Sequence, residues 1–190
     1  MQEHPELFHA FVSSGQMVNT TENDRMGYEL ALQHLDRQGD RAAAERLRRN
    51  GPPPYRGDGV VFRYLDYLDL LNDIMGEPRY AVVVPIVPFL APEYGLLDKV
   101  NHTRGLIDSF NVVYPQLEHL DLAVQAPALG VPVYFFVGRQ DVNAMASLVE
   151  AYHATLSAPH KELIWLEGGH GIDGSSRGQF VDVMVNRVRR

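Results

Sequence analysis

Two ionisable residues near the carboxyl end of the chain, Asp141 and His170, each follow a short apolar run. Asp141 comes after residues 131–137 and a Gly-Arg-Gln turn, and His170 comes after residues 161–166 and Glu167-Gly-Gly. A carboxylate can accept the imidazole N–H, fix the tautomer of the ring and stabilise the imidazolium. A histidine titrates near neutral pH and suits the role of general base. The spacing therefore predicts an acid/base pair.

Each of the two residues also has a simpler interpretation. Asp141 stands where it could cap a helix that starts near Ala144, and His170 could be a surface-loop histidine. The pair favours chemistry, because the carboxyl ends of adjacent parallel strands lie together, and ligands bind there in open α/β sheets.

The segments around the pair predict the elements that must position it. Strands are expected at 133–137 and 163–166, with a helix between them whose apolar face recurs at Met145, Val149 and Tyr152. The run from Leu7 to Val12 is apolar except for His9, which is typical of a buried strand in a parallel sheet. We therefore expect an α/β fold, with residues 1–18 as the first core strand and residues 119–190 as the segment that carries both ionisable residues.

The region between these core segments has a different character. Helical spacing recurs from Thr20 to a stop at Gly39, from an Asp40 cap to Gly51, over 61–74, and over 101–114. The short segment Val82–Val84 fits either a strand or a loop. Residues 19–118 are thus expected to form a mostly helical insertion.

Composition excludes several classes of function. The 190 residues carry a net charge of −7, so no basic face is available for nucleic acid. The chain has no cysteine, and His153 and His160 lack a third ligand in register, so we expect neither a metal site nor a cofactor. No apolar run approaches the roughly 20 residues of a membrane span, and no signal peptide is visible. We expect a cytoplasmic protein that does not bind membranes.

Several phrases of the sequence resemble the α/β-hydrolase fold family, in its proline iminopeptidase-like branch. They comprise the two runs that end at Asp141 and His170, together with His4-Pro-Glu-Leu-Phe8, Gly51-Pro-Pro-Pro-Tyr55 and Ala158-Pro-His-Lys-Glu-Leu-Ile164. The resemblance implies the last three parallel strands of a hydrolase sheet with flanking helices, and a helical cap over 19–118. It also implies that Asp141 and His170 are the catalytic acid and histidine, which follow the nucleophile in chain order.

The nucleophile of that family is not evident in the chain. Its Gly-x-Ser-x-Gly turn should precede Pro5, where only four residues stand. Ser176 lies in a literal match, Gly174-Ser-Ser-Arg-Gly178, but that match follows a loop and comes after the histidine, so a helix start with Ser175 or Ser176 as cap is the better interpretation. Ser14 is a second weak candidate. Gly15 and Gln16 could line a substrate pocket or form a simple exit turn.

These observations predict the C-terminal portion of a serine hydrolase that acts on an ester, an amide or an N-terminal peptide. Without a nucleophile the chain alone should be inactive, and a separate N-terminal half would complete the site. The alternative is a non-catalytic assembly module that forms homo-oligomers through the unpaired strand at 7–12. A degenerate relative with a relic acid and histidine is a third interpretation, which the sequence does not rank against the first.

Overall fold

The computed structural model describes residues 1–57, 59–79 and 90–189. The chain divides into two compact units, one formed by Met1–Asn23 with the chain from Leu120 onward, and the other by Asp24–His119. The undecided segment Val82–Val84 lies outside the described residues. Within the described ranges, no helix combines the length and the apolar character that crossing a lipid bilayer requires.

The described residues form strands and helices with the following bounds. The strands are β1 (Phe11–Ser14), β2 (Val133–Gly138) and β3 (Lys161–Leu166). The α-helices are α1 (Thr20–Gln38), α2 (Arg41–Asn50), α3 (Val60–Met75), α4 (Leu96–Val113), α5 (Leu122–Gln125), α6 (Ala146–Thr155) and α7 (Arg177–Val183). Short 3-10 turns cover Pro5–Leu7 and Tyr114–Leu117, and a π-helical turn, Met184–Val188, extends α7.

The three strands form one parallel sheet in the order β1-β2-β3. In this register Phe11 is opposite Val133, and Val133 is opposite Lys161. Helices flank the sheet, which confirms the predicted α/β fold class of three parallel strands with flanking helices, joined to mostly helical sequence. Because all strands run in the same direction, their carboxyl ends share one edge.

The central strand β2 is buried along its whole length, because the chain covers both of its faces. Val133, Phe135 and Val137 pack into one apolar cluster with Val149 and Tyr152 of α6. The alternate residues Tyr134 and Phe136 pack into a second cluster with Val183 of α7. A strand buried on both sides requires such a continuous apolar run, which explains the composition of residues 133–137.

The first strand starts later than the predicted range of Leu7–Val12, so that prediction was wrong in its bounds. Pro5 begins a 3-10 turn in which the N–H of Phe8 donates to the Pro5 carbonyl at 3.1 Å. Leu7 and Phe8 are exposed, and pairing with the central strand begins only at Phe11. His9, expected within the strand, precedes it, and its Nε2 lies 2.7 Å from the Val188 carbonyl oxygen.

The unit Asp24–His119 is helical in its described part. Ala31, Leu35, Leu47, Tyr67 and Leu71 are among its buried residues. The Asp40 carboxylate accepts the Ala43 N–H at 2.9 Å, so this residue caps α2 as predicted.

Helix α4 begins five residues before the predicted position 101. The Asp98 side chain accepts the Gly95 N–H at 3.0 Å and so fixes an earlier start. No residue of α4 is buried among the described residues.

Candidate functional site

Asp141 lies in the turn that follows the central strand, and its side chain is 1% exposed. Carboxylate oxygen Oδ2 of Asp141 is 3.0 Å from Nδ1 of His170. The structure thus brings together the two residues that the sequence singled out. With Asp141 accepting, Nδ1 carries the ring hydrogen, and Nε2 of the neutral ring keeps the lone pair that a general base needs.

The other oxygen of the Asp141 carboxylate organises the turn itself. Oδ1 accepts the backbone N–H groups of Asn143 and Ala144, each at 2.9 Å. Asp141 therefore does both: Oδ1 accepts the backbone N–H groups of the turn, and Oδ2 contacts the His170 ring. A buried carboxylate requires such donors, because removing a charge from water without hydrogen bonds is costly.

His170 stands in the loop after β3, and this loop is held against the end of β2. The Gln140 N–H donates to the Gly168 carbonyl at 3.0 Å, and the Arg139 N–H donates to the Leu166 carbonyl at the same distance. A Cβ atom at Gly138 would lie 1.9 Å from the Gly169 carbonyl oxygen. Only glycine allows this approach, so Gly138 sets how closely the histidine loop follows the strand.

Gly15 lies against the imidazole ring at the end of β1. An added Cβ would be 2.6 Å from Cε1 of His170, and the residue has φ +60°, which disfavours any side chain. The side chain of Gln16 is occupied within its own segment, since it accepts from the Ser13 hydroxyl at 2.7 Å and donates to the Met17 carbonyl at 2.8 Å. Of the two predicted substrate-binding residues, Gly15 therefore contacts the site histidine.

The hydroxyl of Ser176 is engaged in the turn that starts α7. It accepts the Asp173 N–H at 3.1 Å, and the residue is buried. Ser176 stands at the N-cap position of α7, as predicted, although its side chain accepts no hydrogen bond from the helix; the Asp173 carboxylate accepts the N–H groups of both serines, at 2.8 and 3.0 Å. These hydrogen bonds lower the pKa of Asp173 to about 2, led by the Ser175 hydroxyl.

Ser14, the other weak nucleophile candidate, ends β1 and is exposed. It directly precedes Gly15, the residue in contact with the imidazole.

Asn23 is a buried residue near this site that the sequence analysis did not single out. Its side chain bonds the backbone of Asn143 and of Met145, both in the stretch that follows Asp141. In the sequence it reads as one polar residue of a helix start, Thr20-Thr-Glu-Asn-Asp24.

His153 and His160, the two histidines considered for a metal site, each lie beside a charged residue. Burial, then the nearby Lys161, lowers the pKa of His153, and His160 lies 3.9 Å from the Glu162 carboxylate. In the part of the chain that the structure describes, no group of three histidine or acidic residues could hold a metal ion.

Comparisons with known proteins give distant similarities. No family model matches the chain. The chain is similar to the probable aminopeptidase YbaC of Bacillus subtilis (strain 168), with 24% identity over 173 residues that cover 88% of this chain and 53% of that protein. Among solved structures it is similar to an esterase (EaEST) from Exiguobacterium antarcticum, with 20% identity and a TM-score of 0.41, over 66% of this chain and 48% of that chain. The chain spans about half the length of these two proteins, and the aminopeptidase match supports a hydrolase-related fold.

Proposed function

We propose that these residues supply the acid and the general base of a serine hydrolase of the proline iminopeptidase-like type. The observation that carries the proposal is the 3.0 Å contact between the buried Asp141 carboxylate and Nδ1 of His170. The similarity to a probable aminopeptidase supports an amide or N-terminal peptide substrate, with esters as the simplest surrogates.

In the proposed reaction a serine hydroxyl attacks the substrate carbonyl while Nε2 of His170 takes the hydroxyl proton. Asp141 accepts the hydrogen bond from the Nδ1–H group throughout and stabilises the imidazolium. The imidazolium then gives its Nε2 proton to the leaving group. Backbone N–H groups stabilise the negative charge that develops on the carbonyl oxygen when the serine attacks. The attacking serine comes from a segment beyond these 190 residues, and the use of the Ser176 hydroxyl by the Asp173 turn supports that assignment.

The pairing is tested by NMR on ¹⁵N-labelled protein. The His170 ring, assigned by its loss in His170→Asn, is expected to show a low-field Nδ1 proton in the wild-type chain. Its titration midpoint should fall in Asp141→Asn, because the imidazolium loses its negative partner. A ring that titrates identically in both proteins would remove the basis of the proposal.

The source of the nucleophile is tested with p-nitrophenyl esters and an amino-acid p-nitroanilide. The 190-residue chain should give no more turnover than its His170→Ala variant. Strong turnover that Ser176→Ala or Ser14→Ala abolishes would place the nucleophile within the chain. An in-frame strand and Gly-x-Ser-x-Gly upstream of Met1 would give a longer protein whose kcat falls on the order of 10⁶-fold in His170→Ala.

We also propose a second candidate function, which is assembly through the outer edge of β1. Separately, a cytoplasmic location stays a prediction from the sequence. The specific support for assembly is the position of β1 at the margin of the sheet, paired only with β2 among the described strands. An unpaired strand edge is a template for another chain. If a second copy occupies it, the protein is a homo-oligomer.

A single substitution separates the two sides of that strand. The Phe11 N–H donates to Pro132 next to β2, so the Val12 N–H points to the outer side by alternation. Val12→Pro therefore removes an outer donor and keeps the inner pairing. Light scattering after size exclusion should show an oligomer that becomes monomeric in this variant, and a wild-type monomer at high concentration would contradict assembly.

A further inference from the structure

Asn23 occupies an unusual place for an asparagine. It lies in the first turns of α1, is 2% exposed, and uses both ends of its side-chain amide. Oδ1 accepts the Met145 N–H at 2.8 Å, and Nδ2 donates to the Asn143 carbonyl at 2.8 Å. Asparagine is a poor residue for a helix interior, and a buried amide is costly unless it is hydrogen-bonded. Its position is therefore explained by the two backbone groups that it holds.

The stretch that Asn23 holds also supplies the donors to the site carboxylate. Oδ1 of Asp141 accepts the N–H groups of Asn143 and Ala144. Residues 143–145 are consequently bonded from two sides, by the carboxylate through Asn143 and Ala144 and by the Asn23 amide through Asn143 and Met145. Fixing the backbone of this turn fixes the donors, and the donors fix the carboxylate that contacts His170.

We propose that Asn23 is a positioning residue for the Asp141–His170 pair, acting through the backbone of residues 143–145. Its catalytic meaning rests on the proposed hydrolase function, but the coupling between Asn23 and the imidazole stands on the geometry alone. Asn23 touches neither the imidazole nor the attacking group in this account. It sets the orientation of the carboxylate, on which the ring's tautomer and basicity depend.

The titration of the His170 ring reports this role without any need for activity. Four variants are compared by NMR: Asp141→Asn, Asn23→Ala, Asn23→Ser and Tyr152→Phe. Asn23→Ala removes both bonds, and Asn23→Ser leaves a hydroxyl too short to span both backbone groups. We expect the His170 midpoint to fall in both Asn23 variants, by about one third or more of the fall in Asp141→Asn, because a loosened carboxylate stabilises the imidazolium less.

Tyr152→Phe is the matched control for general loosening of the same unit. The Tyr152 hydroxyl donates to the Ala126 carbonyl at 2.6 Å, so its removal also deletes a bond between a side chain and the backbone. This variant should leave the His170 midpoint unchanged. An equal shift in Tyr152→Phe, or no shift in either Asn23 variant, would overturn the inference.

Hydrogen exchange on the wild-type chain gives a second readout, which does not depend on the variants folding. The Met145 N–H, which donates to Asn23 Oδ1, should exchange as slowly as the Ala144 N–H, which donates to the Asp141 carboxylate. Rapid exchange at Met145 beside a protected Ala144 would contradict the proposal. If Asp141→Asn itself leaves the ring unchanged, the proposed function fails; if only the Asn23 variants do so, the positioning role fails.

Discussion

Asp141 and Asp24, a buried aspartate from each of the two units, differ in the hydrogen bonds that their carboxyl groups receive. Asp141 is 3% exposed and accepts hydrogen bonds from two backbone N–H groups and contacts an imidazole nitrogen. Asp24 is 5% exposed, and its burial raises the pKa of its carboxyl from 3.8 to about 7. Similar burial thus has different consequences: both oxygens of the Asp141 carboxylate have hydrogen-bond partners, whereas burial of the Asp24 carboxyl favours its protonated form.

The surroundings of Asp24 explain this contrast. Tyrosine rings dominate that part of the helical unit, with Tyr64 4.7 Å from Tyr114 and 5.9 Å from Tyr67 between ring centroids. Burial, then the charge of Asp24, raises the pKa of Tyr64 and of Tyr67. The Tyr67 hydroxyl donates to the backbone carbonyl of Asp24, at 3.4 Å, and not to its carboxyl group.

The largest effect is expected from Gly138→Ala in the sheet unit. The new Cβ would meet the Gly169 carbonyl oxygen at 1.9 Å, and backbone on both sides leaves no flexible end to yield. We expect a loss of at least about 3 kcal/mol in the free energy of unfolding, measured by urea titration. A stability within error of wild type would show that the histidine loop is not held to β2.

Asp141→Ala should lower the free energy of unfolding by about 3 kcal/mol, because it strands two buried N–H groups and the imidazole N–H. The control is Glu150→Ala on the exposed face of α6, where a change within about 0.5 kcal/mol is expected. Equal effects in both variants would mean that the turn does not depend on its carboxylate.

Asp24→Asn should raise the free energy of unfolding at alkaline pH, whereas Asp141→Ala lowers it. The carboxyl titrates near 3.8 when unfolded and near 7 when folded, so its contribution to stability is complete below about pH 4 and is lost as the pH rises through 7. We expect the variant to be more stable than wild type by about 2–3 kcal/mol at pH 8 and nearly equal at pH 4. Thermal unfolding across this range measures the difference, with the exposed Asp66→Asn as control. A constant difference at all pH values would contradict the raised pKa.

The smallest effect is expected from Gly105→Ala in the helical unit, in contrast to Gly138→Ala in the sheet unit. Gly105 lies inside α4, and among the described residues no atom beyond the adjacent helix backbone lies within 4 Å of an added Cβ. Gly105→Ala should therefore stabilise the chain by about 0.5–1 kcal/mol through helix propensity. Loss of stability in this variant would mean that α4 packs more closely than its exposed residues show.

The sequence was most informative where the period of apolar residues was unambiguous. The buried run at 133–137 and the Gly39 and Gly51 stops placed β2 and the ends of α1 and α2. The start of β1 was misplaced because Leu7 and Phe8 are apolar and yet exposed. Composition records apolar character, but only pairing with β2 decides where the strand begins.

The candidate site divides in the same way. Asp141 and His170 were found because each follows a strand, and parallel strands end at one edge. Asn23 was missed because its partners are backbone atoms more than 100 residues away, which leave no mark on side-chain types. Ser176 was placed correctly at the start of α7, but the sequence did not reveal that the Asp173 carboxylate, a few residues earlier, accepts the N–H groups of Ser175 and Ser176.

Because Gly15 lies against the imidazole, the position of the His170 ring depends on how β1 and β2 are aligned. Gly15 follows directly on the last aligned pair of the first ladder, Ser14 opposite Phe136. A slip of one residue in either direction would set Ser14 or Gln16 against the ring in its place. The bare backbone at this position therefore rejects misaligned sheets, since only the correct alignment leaves the histidine room to reach its aspartate.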